Sequence, residues 1–197
     1  MMNTIKSSTS RSRKYSSIIA ALLAVIYCGI SFADQSDPRL GPLFIDLQET
    51  TDPNTAKRAE SQIWAIWHES PDEQSLEIMR NARASLSRSD FDSATELLNQ
   101  LVEHAPGYAE AWNQRAIVLF LAEDFSGALR DIEQTLLLEP RHFGALSGRG
   151  QVYLHLEEPQ LALNAFKQAL DRNPWMANIR DQIAMVHAFL NAKQKSI

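Results

Sequence analysis

Pro106, Pro140 and Pro174 stand 34 residues apart, and Ala94, Ala128 and Ala162 keep the same interval. Ala82, Ala116, Gly150 and Ala184 form a further row of small residues at that spacing. Phe91 and Phe125 share a phase, which Pro159 takes in the third copy. A period of this length carries one helix-turn-helix unit per copy, and such a unit buries its apolar face only against its neighbours. The stretch from Ser75 to Met176 therefore sets the fold, as units 75–108, 109–142 and 143–176. The expected class is all-α: an α-solenoid of helix-turn-helix repeats with a C-terminal capping helix over residues 177–197.

The second unit carries Trp112, Ala116, Leu119, Phe125, Ala128, Ile132 and Pro140. The third carries Gly150, Tyr153, Ala162, Phe166, Ala169 and Pro174, and the first Ile78, Ala82, Phe91, Ala94 and Leu98. In these positions the chain resembles the tetratricopeptide repeat (TPR) family. The resemblance implies stacked antiparallel helix pairs around a concave groove that binds a protein or peptide. It names no partner, because fold does not fix function.

If the units stack as in that family, first-helix side chains line the groove. By phase these are Met79, Arg83 and Leu86; Asn113, Ile117 and Phe120; Ser147, Gln151, Leu154 and His155; then Asp181 and Met185. Amides could pair a peptide backbone while Ile117, Phe120 and Leu154 grip apolar side chains. The plain alternative is that several of these residues pack against the next repeat. One subclass of the family clamps a terminal carboxylate with Lys and Asn. Here Met79, Arg83, Gln114, Gly144 and Gly148 stand at the clamp positions, which argues against acidic chaperone tails.

Residues 1–33 read as a signal peptide. Lys6, Arg11, Arg13 and Lys14 precede an apolar run from Ile18 to Ile30, and Ser31-Phe32-Ala33 offers a cleavage site before Asp34. The run is shorter than the roughly 20 apolar residues of a membrane span. The expected location is periplasmic or secreted; a membrane enters only through an uncleaved leader. Cys28 is the single cysteine and lies inside that leader. Removing the leader would leave a chain with neither disulfides nor a thiolate nucleophile.

Residues 34–40 form a linker, and 41–73 a degenerate first helix pair. Leu43, Phe44 and Leu47 mark the apolar side of its first helix; Ala59, Ile63, Ile66 and Trp67 mark that of its second. Trp64 and Trp67 read as packing against the next helix, with an exposed partner contact as the sharper alternative. Asp90 and Asp124 precede second helices and serve as N-caps. Gly144 leaves space on the groove side, for a partner or for tight packing. Phe143 can staple its helix against Leu138 or Leu146. Arg115 and Arg149 fall where the family places a large apolar residue. Each needs a partner, and Asp131 suits Arg115.

Four of the 19 basic residues and none of the 24 acidic ones precede Asp34, so the remainder has an excess of nine acidic side chains. That balance disfavours nucleic acid. No phosphate loop, zinc-protease motif or nucleophile elbow is present. His68, His104, His142, His155 and His187 are dispersed, without ligand spacing. His104 and His142 read as cations near helix C-termini. No cofactor, metal or enzymatic activity is expected. The chain reads as a non-catalytic binding module, an adaptor or scaffold in the cell envelope. The alternative is a self-associating structural subunit, a homo-oligomer without a peptide ligand.

Overall fold

A computed structural model describes residues 37–195 and places nine helices and no strand among them. The expected leader and its cleavage site lie outside the described residues. The helices are α1 (Leu40–Glu49), α2 (Pro53–Trp67), α3 (Glu73–Ser87), α4 (Phe91–His104), α5 (Ala109–Leu121), α6 (Phe125–Leu138), α7 (Phe143–His155), α8 (Pro159–Arg172) and α9 (Ala177–Lys195). The periodic stretch supplies α3 to α8 as three helix pairs, and α9 ends the stack.

Four of the helices, α2, α3, α4 and α6, start with the same local chemistry. Short acids before the helices satisfy backbone N–H groups that have no partner inside the first turn. Asp90 accepts from the Ser93 N–H, Asp124 from Gly127 and Asp72 from Ser75. Asp52 caps α2 through Asn54 and Thr55, and Pro53 opens that helix where a missing N–H costs nothing. The turn inside each unit has one residue with positive φ, at Ser89 (59°), Glu123 (63°) and Glu157 (58°). These positions are again 34 apart, so every unit reverses with the same geometry.

The small-residue row lies inside the repeats. Ala82, Ala116 and Gly150 are buried there. The Phe166 ring occupies the place a Cβ on Gly150 would take. Ala94, Leu98, Leu101, Tyr108 and Ala111 form one core between the first two units. Ala116, Ala128, Ile132, Ala145 and Val152 form the next. Ile179 and Val186 of α9 close the last core over Ala162 and Phe166. The face of α9 turned away from it leaves Met185 and Phe189 more than half exposed.

The expected pairing of Arg115 is present and bidentate. Its Nε donates to Asp131 Oδ2 at 2.7 Å and its Nη2 to Oδ1 at 2.8 Å. Its Nη1 also reaches Asn99 Oδ1 at 2.9 Å. The fork geometry suits a carboxylate better than a lysine would. Arg149, one period later, meets the Gln168 amide instead, at 2.7 Å. The residue one period after Asp131 is Ala165, so no carboxylate stands there.

The pair before Ser75 is helical, but it does not continue the stack as a degenerate first repeat would. Its apolar side, from Leu40, Phe44, Leu47, Ala59, Ile63, Ile66 and Trp67, is shared with Phe143, Trp175 and Met176 rather than with α3. Phe143 thus packs into the hairpin instead of stapling its own helix. The α1–α2 hairpin lies against the turns between units. Gln48 donates to the Asp171 carbonyl at 3.1 Å, Trp175 Nε1 donates to the Leu47 carbonyl at 3.1 Å, and Arg141 sits over the Phe44 ring at 4.6 Å.

Asp131 is buried, so Asp131→Ala leaves the Arg115 guanidinium without its carboxylate. The expected cost is about 3 kcal/mol, read by urea denaturation. Arg115→Leu combined with Asp131→Ala costs less than Asp131→Ala alone, because no charge is then stranded.

Candidate functional site

The first helices of the units, α3, α5 and α7, present one row of side chains to the concave face, and α9 continues it. The hairpin enters this row at Glu110, the second residue of α5. Glu110 is fully buried. Its Oε1 receives Gln114 Nε2 at 2.6 Å and lies 3.1 Å from His68 Nε2 and 3.6 Å from Arg83 Nη2. Its Oε2 receives Asn113 Nδ2 at 2.9 Å and lies 3.2 Å from His142 Nε2. The carboxylate joins the end of α2, the middle of α3, its own helix and the start of α7.

His142 is the N-cap of α7, not a cation at a helix C-terminus. Its Nδ1 accepts the Ala145 N–H at 3.0 Å, so its proton sits on Nε2 and points to Glu110. That tautomer has no lone pair free toward His68 and Glu110. No group of three or more His, Cys, Asp or Glu among the described residues is arranged to hold a metal ion. The imidazole of His142 stacks on Trp67, with ring centres 4.1 Å apart and planes 10° from parallel. Trp64 packs edge-on to Trp67, His142 and Phe143 and stacks on His68. The tryptophans therefore pack, though against the third unit and not the next helix. The space left by Gly144 is filled by this chain: a Cβ there would stand 2.6 Å from Trp64 Cη2.

Beyond Trp64 the concave face opens. A cavity of about 310 Å³ lies between α5 and α7, lined by Trp64, Ala116, Ile117, Phe120, Leu121, Ile132, Ala145 and Val152, with Asn113, Gly144, Gly148 and Gln151. No charged side chain lines it. Four expected groove residues, Asn113, Ile117, Phe120 and Gln151, meet here. Asn113 is committed to Glu110, whereas Ile117 is 39% exposed and faces the opening. Leu154 and Met185 line a second cavity of about 570 Å³ between α7 and α9. His155 is exposed at the end of α7, stacked on Phe125 and edge-on to Phe120.

The remaining expected residues take other places. Met79 is buried in the core of the first unit, and Arg83 reaches Glu110. The Ser147 hydroxyl donates to the Gly144 carbonyl. Asp181 is exposed on α9, away from the lining of either cavity. Glu110 and Trp64 are parts of the concave face that the repeat pattern did not reveal. Glu110 had one signal: a charged residue at the groove phase, one period before Gly144.

Burial works against the Glu110 charge, but hydrogen bonds from His142, His68 and Gln114 outweigh it and hold the carboxyl at about 2, below its ordinary 4.5. A depressed carboxyl stabilises the fold above the unfolded value, and that stability is lost as pH falls from 4.5 toward 2. Glu110→Gln turns an NH2 group toward donors. It should cost about 2–3 kcal/mol at pH 7, with the gap to wild type narrowing through that acid window in pH-dependent denaturation. Gly144→Leu expels Trp64, which should red-shift tryptophan fluorescence and expose the hairpin to limited proteolysis.

The tetratricopeptide repeat profile matches residues 79–131 and 116–175. A TPR repeat-containing protein of Rhizobium etli is 32% identical over 148 residues, covering 75% of this chain and 72% of its own. Anaphase-promoting complex subunit 7 of Dictyostelium discoideum is 26% identical over 102 residues, which are 52% of this chain and 17% of that subunit. Among solved structures, the Sgt2 TPR domain from Aspergillus fumigatus superposes with a TM-score of 0.60 at 16% identity, covering 64% of this chain and 85% of that one. The first TPR of Spaghetti (RPAP3), bound to the HSP90 peptide SRMEEVD, gives 0.59 at 16% identity, with 63% and 98% covered. These structures share the fold. The 34-residue phase, the stacked pairs and the matched profile together establish that the chain belongs to the tetratricopeptide repeat family.

Proposed function

We propose that this chain is a non-catalytic module that binds a protein or peptide along the open part of its concave face, as an adaptor or scaffold. The observation that carries the reading is the uncharged cavity between α5 and α7, with Ile117 exposed at its mouth. Pockets that hold ligand side chains are mostly apolar with a few polar groups at the edge, and this one has that make-up. The peptide complex of the Spaghetti TPR supports the class of ligand by analogy of fold. The ligand type itself differs, because Arg83 is engaged by Glu110 and glycines replace basic residues at 144 and 148.

The basic start, apolar run and Ser31-Phe32-Ala33 site of the leader support work outside the cytoplasm, in a periplasm or beyond it. Intact mass of the protein recovered from its native host tests this: a mature chain starting at Asp34 supports export, and a retained leader argues against it.

A second reading rests on α9, where Met185 and Phe189 are 56% and 57% exposed. Two such faces could meet in a self-associating subunit. Light scattering across a dilution series separates the readings; a monomer throughout rejects self-association. For the first reading, Ile117→Glu with Phe120→Ala should weaken capture of the native partner about tenfold or more, with helicity unchanged by circular dichroism. Undiminished capture by that double variant removes the cavity from the binding surface.

A further inference from the structure

The three grooves between successive first helices are the same place seen three times. Between α3 and α5 it is lined by Met79, Ala82, Arg83, Leu86, Leu98, Gln114 and Val118, and no water-sized space remains. One period on, Asn113, Ala116, Ile117, Phe120, Ile132, Gly148 and Val152 line the cavity of about 310 Å³. A further period brings Leu154, Gln182 and Val186 to the cavity of about 570 Å³. The concave face therefore offers two open cavities on either side of α7, the first uncharged and the second with apolar side chains from Leu154, Met185, Val186 and Phe189.

The polar groups beside them include amides. Gln151 lines the first open cavity and Gln182 the second. Both side chains are partly exposed, and neither makes a hydrogen bond to another side chain or backbone group among the described residues. A glutamine side chain offers one acceptor and two donors, which match a peptide N–H and C=O. No cation lines the first cavity. The second has Glu157 as well as Lys193 on its wall, and Glu123, Glu158 and Asp181 are exposed on the neighbouring turns and α9. An acidic segment would meet repulsion along this face.

Building on the binding-module reading, we infer that the ligand is an extended, neutral-to-basic peptide carrying two bulky apolar side chains three residues apart. One enters between α5 and α7, the other between α7 and α9, with Gln151 and Gln182 pairing its backbone. The spacing follows from geometry. Packed helices stand roughly 8–10 Å apart. A polyproline-II strand rises about 3.1 Å per residue and returns a side chain to the same face every third residue. An i, i+3 pair thus spans about one helix spacing.

The test uses the full chain and fluorescein-labelled synthetic peptides, read by anisotropy. Each peptide has two leucines at a separation of two, three, four or five residues in a Ser/Gln/Lys background. A matched set replaces Lys by Glu, and a control keeps a single leucine. The expected result is tightest binding at a separation of three, about tenfold over the single-leucine control, with the Glu set weaker. Ile117→Glu and Met185→Glu should each remove about tenfold in affinity, and either should abolish the spacing preference. Leu137→Glu, an exposed change on α6, should leave binding intact. Binding without spacing preference, equal binding of the Glu set, or loss with Leu137→Glu overturns the inference while leaving a binding module. Binding of no peptide overturns the module reading with it. A concentration-dependent mass that Met185→Glu abolishes would assign the α9 face to a second copy and overturn the inference.

Discussion

Five side chains from four helices or their caps converge on the Glu110 carboxylate: His68, Arg83, Asn113, Gln114 and His142. A charge removed from water to this extent costs several kcal/mol unless the site supplies donors. Here both oxygens are served, and the donors come from four separate helices or their caps. A solenoid unit ordinarily knows only its neighbours. Through Glu110 the hairpin, the first unit, the second and the third are tied at one point. The tie also settles local detail. It uses the Nε2 proton of His142, while the other nitrogen caps α7.

Packing does the rest of the docking. Trp67 is fully buried and its indole N–H finds no hydrogen-bond partner among the described residues. An unpaired buried donor costs about 1–3 kcal/mol. Burial of the large ring contributes about as much in the other direction, and its stacking on His142 and contact with Phe143 come in addition. The hairpin is held by shape and by one polar cluster, with the Gln48 and Trp175 hydrogen bonds fixing its far end on the last inter-unit turn. It acts as a strut along the row of turns, and it makes Trp64 a wall of the cavity between α5 and α7.

The repeats were legible because their contacts are local and recur. Ala116 against its partner helix, Asp124 capping its own first turn and Arg115 forking onto Asp131 are each settled within about 20 residues of sequence. The period repeats the small-residue row and the positive-φ turn three times. The hairpin was legible as two helices and no further. Its partners, Gly144 for Trp64 and Asp171 for Gln48, are far away in sequence and obey no period. The phase that predicted groove residues also assumed an empty groove. It therefore placed Met79 and Arg83 there, where one is core and the other is drawn to Glu110.

The unequal grooves follow from single residues at one phase. Gln114, with Met79 and Arg83 opposite, fills the space between α3 and α5. Gly148 takes the phase of Gln114 one period later, and the volume it gives up is the cavity beside Ile117 and Phe120. At Gln182 the long side chain returns, yet the space stays open. There α9 has the phase of a first helix, and no second helix follows it among the described residues, so Met185 and Phe189 lack the cover that a complete unit provides. One groove is opened by a missing side chain and the next by a missing helix. The two openings arise differently but adjoin across α7, and that adjacency gives the row of repeats a directional concave face: closed beside α3, open toward α9.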